Sequence, residues 1–126
     1  MNVVGTAVIL MVADPAASSE FFGAHLGFRE ILANEDFICL GRDDACTEIE
    51  LRRSNPELPQ PSPWPTGVTT SLAVIGIAGE YERLLREGAH ITAPLHRMSS
   101  GEWALRLTDP NGVVVQLIEW IPPAGA

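Results

Sequence analysis

Apolar and polar side chains alternate along residues 46–53, whose sequence is CTEIELRR. Successive side chains of a β-strand point to opposite faces, so this stretch predicts a strand with one apolar and one polar face. The apolar face would carry Thr47, Ile49 and Leu51, and the polar face Cys46, Glu48, Glu50 and Arg52. We expect the apolar face to pack beneath a helix and the polar face to line a cavity.

The same kind of patterning predicts strands and helices in one order twice along the chain. In the first half, strands are predicted at 3–13, 29–33, 36–42 and 46–53, with a helix at 15–26. In the second half, strands are predicted at 67–76, 90–95, 102–108 and 113–120, with a helix at 78–88. Asp14 and Gly27 suit the two ends of the first helix, whereas Gly76 offers the second helix no side-chain cap. Each half therefore predicts a βαβββ module, and repetition at this period indicates a duplicated module.

A proline-rich segment separates the two halves. Five prolines lie within residues 54–67, and proline at that density excludes a helix or a central strand. We predict a first module at 1–53, a linker at 54–66 and a second module at 67–126, which together form one structural domain.

The C-terminal hairpin, LTDPNGVVVQLIEW, raises a question about one polar residue. A turn is predicted over Asp109-Pro110-Asn111-Gly112, because Pro110 presets one backbone angle and both Asn111 and Gly112 tolerate the left-handed conformation. Gln116 lies in the middle of the apolar strand that follows, and a buried amide without partners is costly. Gln116 is thus a metal ligand, a group that binds a ligand, or a structural amide bonded to a neighbouring strand or to Glu50.

Composition narrows the range of possible partners and chemistries. The net charge of −8, with arginine as the only strongly basic residue type, argues against nucleic acid and anionic membranes as partners. The absence of lysine excludes a Walker-type phosphate loop and Schiff-base chemistry. No apolar run is long enough to cross a bilayer and the start lacks the basic residues of a signal peptide, so we expect a cytoplasmic protein whose cysteines are reduced.

Three stretches carry a resemblance to a known family. LMVADPAASSEFFGAHLGF, AGEYERLLREGAHI and GEWALRLTDPNGVVVQLIEW resemble the first strand and helix, the second helix and the C-terminal hairpin of the vicinal oxygen chelate superfamily. That family includes glyoxalase I, bleomycin-resistance proteins and extradiol dioxygenases. The resemblance implies an α+β fold of two βαβββ modules, with curled mixed sheets around a cavity and helices on the outer face. It also implies a homodimer.

The resemblance further implies four positions at which enzymes of this superfamily hold a divalent metal. They correspond here to Ala7, Glu50, Thr69 and Gln116. Only Glu50 and Gln116 could ligate a metal, and one carboxylate plus one amide is too few for iron or zinc. We therefore expect no metal cofactor, with a divalent metal held by Glu50 and Gln116 as the alternative. The three histidines, His25, His90 and His96, are assigned to surface or helix-end positions.

Alternation along the strands predicts which residues line the cavity. The predicted ligand-binding residues are Met11, Glu48, Glu50, Arg52, Thr69, Ser71, Trp103, Gln116 and Trp120. Such a mixture of apolar walls and few polar groups is typical of a small-molecule site. The structural alternatives are a surface face on which Glu48 and Glu50 pair with Arg52, and core or dimer-interface packing for Trp103 and Trp120.

Three functions fit these observations. The favoured one is metal-independent binding of a small molecule, cationic or aromatic, in the manner of bleomycin-resistance proteins. The second is a lyase, isomerase or dioxygenase of the vicinal oxygen chelate type, with an atypical metal site or with Glu48 or Glu50 as a catalytic base. The third is a non-catalytic accessory module whose cavity is filled by Met11 and Trp103.

Overall fold

The computed structural model describes residues 1–44, 47–54 and 69–122, which form eight strands and two helices. The first module contains β1 (Ala7–Val12), α1 (Pro15–Leu26), β2 (Arg29–Ala33), β3 (Phe37–Gly41) and β4 (Glu48–Arg53). The second contains β5 (Thr70–Ala73), α2 (Ile77–Arg86), β6 (Ile91–Arg97), β7 (Glu102–Thr108) and β8 (Val114–Trp120). Neither helix is long and apolar enough to cross a membrane.

Each module builds one four-stranded mixed sheet, and the two sheets share a topology. Their strand orders are β1-β4-β3-β2 and β5-β8-β7-β6. The first and fourth strands of each module are parallel, and the remaining neighbours are antiparallel. The predicted α+β fold of two βαβββ modules is thus confirmed. The chain divides into two compact units, Met1–Thr66 and Gly67–Ala126. Nearly all of the predicted linker, and Cys46, lie outside the described residues.

The core of the first module lies between α1 and one face of its sheet. Ile49 and Leu51 of β4 are 2% and 0% exposed, as their alternation predicts. Fully burying side chains of this size stabilises a protein by roughly 1.5–3 kcal/mol each. Other core side chains of this module are Leu10, Val12, Phe21, Phe22, Leu26, Phe28, Ile38 and Leu40.

Helix α1 begins and ends where the sequence predicts. The carboxylate of Asp14 accepts a hydrogen bond from the Ala17 backbone N–H at 3.3 Å, and Pro15 is the first helical residue. Gly27 ends the helix with φ of +70°, a conformation that glycine adopts without steric cost.

Helix α2 receives its N-terminal cap from the sheet. Gly76 provides no side-chain bond, but Glu119 of β8 accepts hydrogen bonds from the backbone N–H groups of Gly76 and Ile77 at 2.8 and 2.9 Å. These two bonds lower the pKa of the Glu119 carboxyl. Glu119, which is 42 positions from Ile77 in sequence, thus caps the N-terminus of α2, whereas Asp14 caps α1 from the adjacent position.

The buried face of α2 omits one residue of the apolar face that the sequence predicts. The sequence places Tyr81, Leu84 and Leu85 on one face. In the structure Ile77 and Leu84 are buried and Tyr81 is half-buried, whereas Leu85 is 54% exposed. Adjacent helical residues are about 100° apart, so a face centred on Leu84 and Ile77 leaves Leu85 at its edge.

The turn between β7 and β8 is organised by a buried carboxylate. Asp109 is 3% exposed, and its Oδ1 accepts hydrogen bonds from the backbone N–H groups of Asn111 and Val113, both at 2.8 Å. Of the two residues expected to tolerate a positive φ, only Gly112 adopts one, at +89°. The backbone N–H of Asp109 donates to the Val113 carbonyl, so Asp109 and Val113 are the last paired residues before the turn.

Candidate functional site

The open face of each sheet is the face that points away from its helix, and most of the predicted site residues lie on it. On the first module the strand register brings together side chains from three neighbouring strands. They are Ala7, Ile9 and Met11 of β1, Glu48, Glu50 and Arg52 of β4, and Phe37 and Cys39 of β3. Met11, Glu48, Glu50 and Arg52, all predicted to line a binding site, therefore share one face.

Glu50 and Arg52 form an ion pair on this face. Oε1 of Glu50 accepts from Nε of Arg52 at 3.0 Å and lies 2.9 Å from its Nη2. The Glu50 side chain is 18% exposed and that of Arg52 is 50% exposed. The guanidinium carbon of Arg52 also lies 5.8 Å from the centre of the Phe37 ring, within the range of a cation–π contact. The alternative in which Glu50 pairs with Arg52 is the arrangement found.

Cys39 lies beside Glu48 and Glu50 on the same face. Its Sγ is 3.9 Å from Oε2 of Glu48. Burial raises the pKa of the Cys39 thiol, and the negative charges of Glu48 and Glu50 raise it further. Because the thiolate is the nucleophilic form of cysteine, this site suppresses rather than promotes thiol chemistry.

On the second module, Gln116 lies in a row of four residues across the open face. The register sets Ser71 of β5 beside Gln116, Gln116 beside Arg106 of β7, and Arg106 beside Ala93 of β6. Oε1 of Gln116 accepts a hydrogen bond from Nε of Arg106 at 3.1 Å. Gln116 is thus bonded to a neighbouring strand, and the partner is an arginine that was not among the predicted site residues.

The two tryptophans lie on different faces, which corrects one prediction. Trp103 pairs with Glu119, on the same side of β7 as the buried Leu105 and Leu107, so it does not share a face with Gln116. Trp120 is on the open face, opposite Glu102, and is 55% exposed. Its ring lies against Gly101, where an added Cβ would come within 2.5 Å of Cζ3.

Two further positions differ from the sequence-based expectation. His96 follows the strand predicted at 90–95, but in the structure it lies within β6, opposite Ala104 on the open face, with Nδ1 2.8 Å from the Pro94 carbonyl oxygen. Thr69, a predicted ligand-binding residue, precedes β5 and is exposed. His25 lies in the last turn of α1 against Phe21, and His90 precedes β6, as expected for helix-end and surface positions.

The four positions implied for a metal supply few donors. Ala7 has none, and within 1–44, 47–54 and 69–122 no three His, Cys, Asp or Glu side chains group together in a way that could hold a metal ion. Oε1 of Glu50 and the amide oxygen Oε1 of Gln116 each accept an N–H of an arginine. Two unit charges about 4 Å apart interact by about 1 kcal/mol in water and about 4 kcal/mol in less polar surroundings. A divalent cation at either oxygen carries two charges, so its repulsion from the neighbouring arginine would be about twice as large. The described residues therefore do not fit a divalent metal there.

Comparison with known proteins identifies the family. The model of the glyoxalase/bleomycin resistance protein/dioxygenase superfamily matches residues 4–117. A search among curated proteins finds no match.

Solved structures share the fold at low sequence identity. A glyoxalase/bleomycin resistance protein/dioxygenase from Nocardioides is 20% identical with a TM-score of 0.75, over 98% of this chain and 87% of that one. One from Alicyclobacillus acidocaldarius is 15% identical with a TM-score of 0.72, over 94% and 92%. TioX from Micromonospora sp. ML1 is 19% identical with a TM-score of 0.70, over 94% and 100%. The fold and a match that spans most of the sequence place this chain in the glyoxalase/bleomycin resistance protein/dioxygenase superfamily.

Proposed function

We propose that the protein binds a small organic molecule on the open faces of its sheets without a metal cofactor, in the manner of bleomycin-resistance proteins. The observation that carries this proposal is that the side chains of Glu50 and Gln116 are each bonded to an arginine. Each stands at a position implied for a metal ligand, and one side-chain oxygen of each accepts a hydrogen bond from an arginine. A guanidinium group in place of a metal ion favours polar recognition of a ligand over Lewis-acid chemistry.

The composition of the open faces supports binding. On the first module, Ile9 and Met11 are 51% and 37% exposed beside the Glu50–Arg52 pair. On the second module, Trp120 and half-buried Ile118 follow Gln116 along β8. Exposed apolar side chains with a few polar groups are typical of ligand-binding surfaces.

The same residues favour binding over catalysis. The Cys39 thiol has a raised pKa, and one oxygen of Glu50 is engaged by Arg52. Neither group is therefore arranged as an activated nucleophile or base. The homodimer and the cytoplasmic location stay predictions.

Ligand-induced thermal stabilisation tests the proposal. The panel contains cationic glycopeptides, neutral aromatic compounds and aromatic carboxylates, each measured with EDTA and with added divalent metal. We expect at least one class to raise Tm saturably and equally in both conditions. A ligand at about 100 times its Kd stabilises by about 2.7 kcal/mol.

Two matched variants locate the binding surface. Ile9→Gln changes the open face, whereas Leu85→Gln changes a similarly exposed apolar side chain on the outer surface of α2. We expect Ile9→Gln to weaken a ligand that contacts the first module and Leu85→Gln to leave binding unchanged. Stabilisation that appears only with added metal would contradict the proposal.

A further inference from the structure

We propose that the open face of the second module carries a binding site for the carboxylate of a small organic acid, with Arg106 and Gln116 as its donors. This inference rests on the proposed function and specifies the chemical class of the ligand. Composition alone, with a net charge of −8, is compatible with a cationic ligand. The arrangement around Arg106 instead favours a negatively charged ligand at this site.

The first argument is the direction of the hydrogen bond between the two residues. Gln116 uses Oε1 to accept from Nε of Arg106. This leaves the amide N–H groups of Gln116 and the two Nη groups of Arg106 without a partner among the described residues. All of these remaining groups are donors, because an arginine has no acceptor and the amide nitrogen of Gln116 only donates. A ligand group that satisfies them has to be an acceptor.

The second argument is charge. Arg52 is neutralised by the carboxylate of Glu50 at 2.9 Å, whereas Arg106 is bonded to a neutral amide. The residues next to Arg106 on this face are Ala93, Ala104 and Thr108, which carry no charge. Glu102 lies four residues away along β7, or about 13 Å at the rise of a strand. No ion pair joins Arg106 to a carboxylate within the described part of the chain, so its positive charge is available to a ligand.

The third argument is the fixed position of the guanidinium. Strand β7 lies between β6 and β8, and the bond to Gln116 restrains the arginine side chain. A planar guanidinium with two free Nη groups matches the two oxygens of a carboxylate. Arg97, at the end of the edge strand β6, has no such restraint among the described bonds.

The fourth argument concerns the rest of the ligand. Val114 and Ile118 flank Gln116 on the same face and are half-buried, and Trp120 follows. Apolar neighbours lower the local polarity and so strengthen a charge-assisted hydrogen bond. They also offer contact area for an apolar body attached to the carboxylate. An aromatic or aliphatic monocarboxylate therefore fits this face better than inorganic phosphate.

A titration with two matched probes tests the site. Phenylacetate and its neutral amide, phenylacetamide, are added across the millimolar range to the ¹⁵N-labelled full chain, and backbone amide shifts are followed. We expect phenylacetate to give saturable shifts at residues 104–108 and 114–118, with an affinity about tenfold or more above that of phenylacetamide, because charge-assisted hydrogen bonds are the stronger kind. Inorganic phosphate should shift these residues less.

Variants assign the effect to Arg106. Arg106→Gln should abolish the preference for the carboxylate, and Arg106→Lys should retain part of it. Arg86→Gln, on the exposed surface of α2, removes the same charge elsewhere and should leave the preference unchanged. The dispersion of the amide spectrum reports in the same experiment whether each variant is folded.

Three results would overturn this inference: equal affinity for the two probes, a preference that survives Arg106→Gln, or no saturable shift with phenylacetate. If another compound still stabilises the protein without metal, the proposed function stands and only the carboxylate site fails. If no compound binds in either experiment, both proposals fail.

Discussion

Two arginines give the open faces their chemical character. Arg52 and Arg106 each bond to a residue at a position implied for a metal ligand, yet the first partner is a carboxylate and the second is a neutral amide. The Glu50–Arg52 pair is partly exposed, and such pairs contribute at most about 1 kcal/mol to stability. The main consequence of these contacts is therefore the charge and donor pattern presented to a ligand.

At Cys39 we predict low thiol reactivity. In a Cys46→Ser background, the pH dependence of alkylation by iodoacetamide should give a pKa above the ordinary value of about 8.5. Burial and the carboxylates of Glu48 and Glu50 all disfavour the thiolate. Glu48→Gln should shift the pKa downward, and Glu35→Gln, in the exposed segment between β2 and β3, should not. A pKa at or below the ordinary value would contradict this account.

The predicted and observed sites differ mainly because of the turn between β7 and β8. The bounds of α1, β2 and β7 agree with the sequence-based prediction. A four-residue turn over 109–112, however, would pair Thr108 with Val113 and so set Leu105 opposite Gln116. The observed pair of Asp109 and Val113 sets Arg106 there instead.

A change of one residue in register moves a whole strand to the opposite face. The apolar pattern of β7 could have corrected the register that a four-residue turn implies. Trp103, Leu105 and Leu107 form its apolar set and belong beneath the helix, just as Ile49 and Leu51 do in β4. The turn length does not follow from residue type alone, so the turn sequence by itself does not identify the partner of Gln116.

Substitutions on the two faces of the first sheet should differ strongly in stability. Ile49→Ala removes a side chain that is 2% exposed and should lower the free energy of unfolding by about 2–5 kcal/mol. Ile9→Ala, on the open face at 51% exposure, should change the unfolding free energy far less. Urea denaturation of both variants measures the difference. Similar losses at the two positions would show that the assignment of faces is wrong.

The cap of α2 predicts a pH-dependent contribution to stability. The backbone hydrogen bonds from Ile77 and Gly76 hold the pKa of Glu119 below its ordinary value. A carboxyl with a lowered folded-state pKa stabilises the protein above its unfolded pKa of about 4.3. This contribution is lost as the pH falls through the folded-state value.

Glu119→Gln should therefore lower the Tm at neutral pH, and the difference from the wild type should shrink in acid. Thermal unfolding followed by circular dichroism at neutral and acidic pH measures this. Glu82→Gln, on the exposed surface of α2, serves as the control and should have little effect at either pH. A difference for Glu119→Gln that stays constant with pH would contradict the assigned role.

At the scale of the whole molecule, the fold was predictable because its evidence is spread along the chain. The repeated order of strand, helix and three strands appears in the alternation, the helix ends and the hairpin, and no single residue decides it. The site depends instead on which side chains lie side by side across strands. Gln116 could be singled out from its apolar surroundings, but its bond to Arg106 depends on the register of the hairpin.

The central claim is that arginine side chains, and not a metal, engage the oxygens of Glu50 and Gln116. Its most direct test is elemental analysis of protein purified without chelator, re-equilibrated separately with Ni, Zn, Mn and Fe(II), and desalted. We predict a metal content far below one per chain for every metal. One metal per chain, lost on Glu50→Gln, would contradict the claim and favour a metal-dependent enzyme of this superfamily.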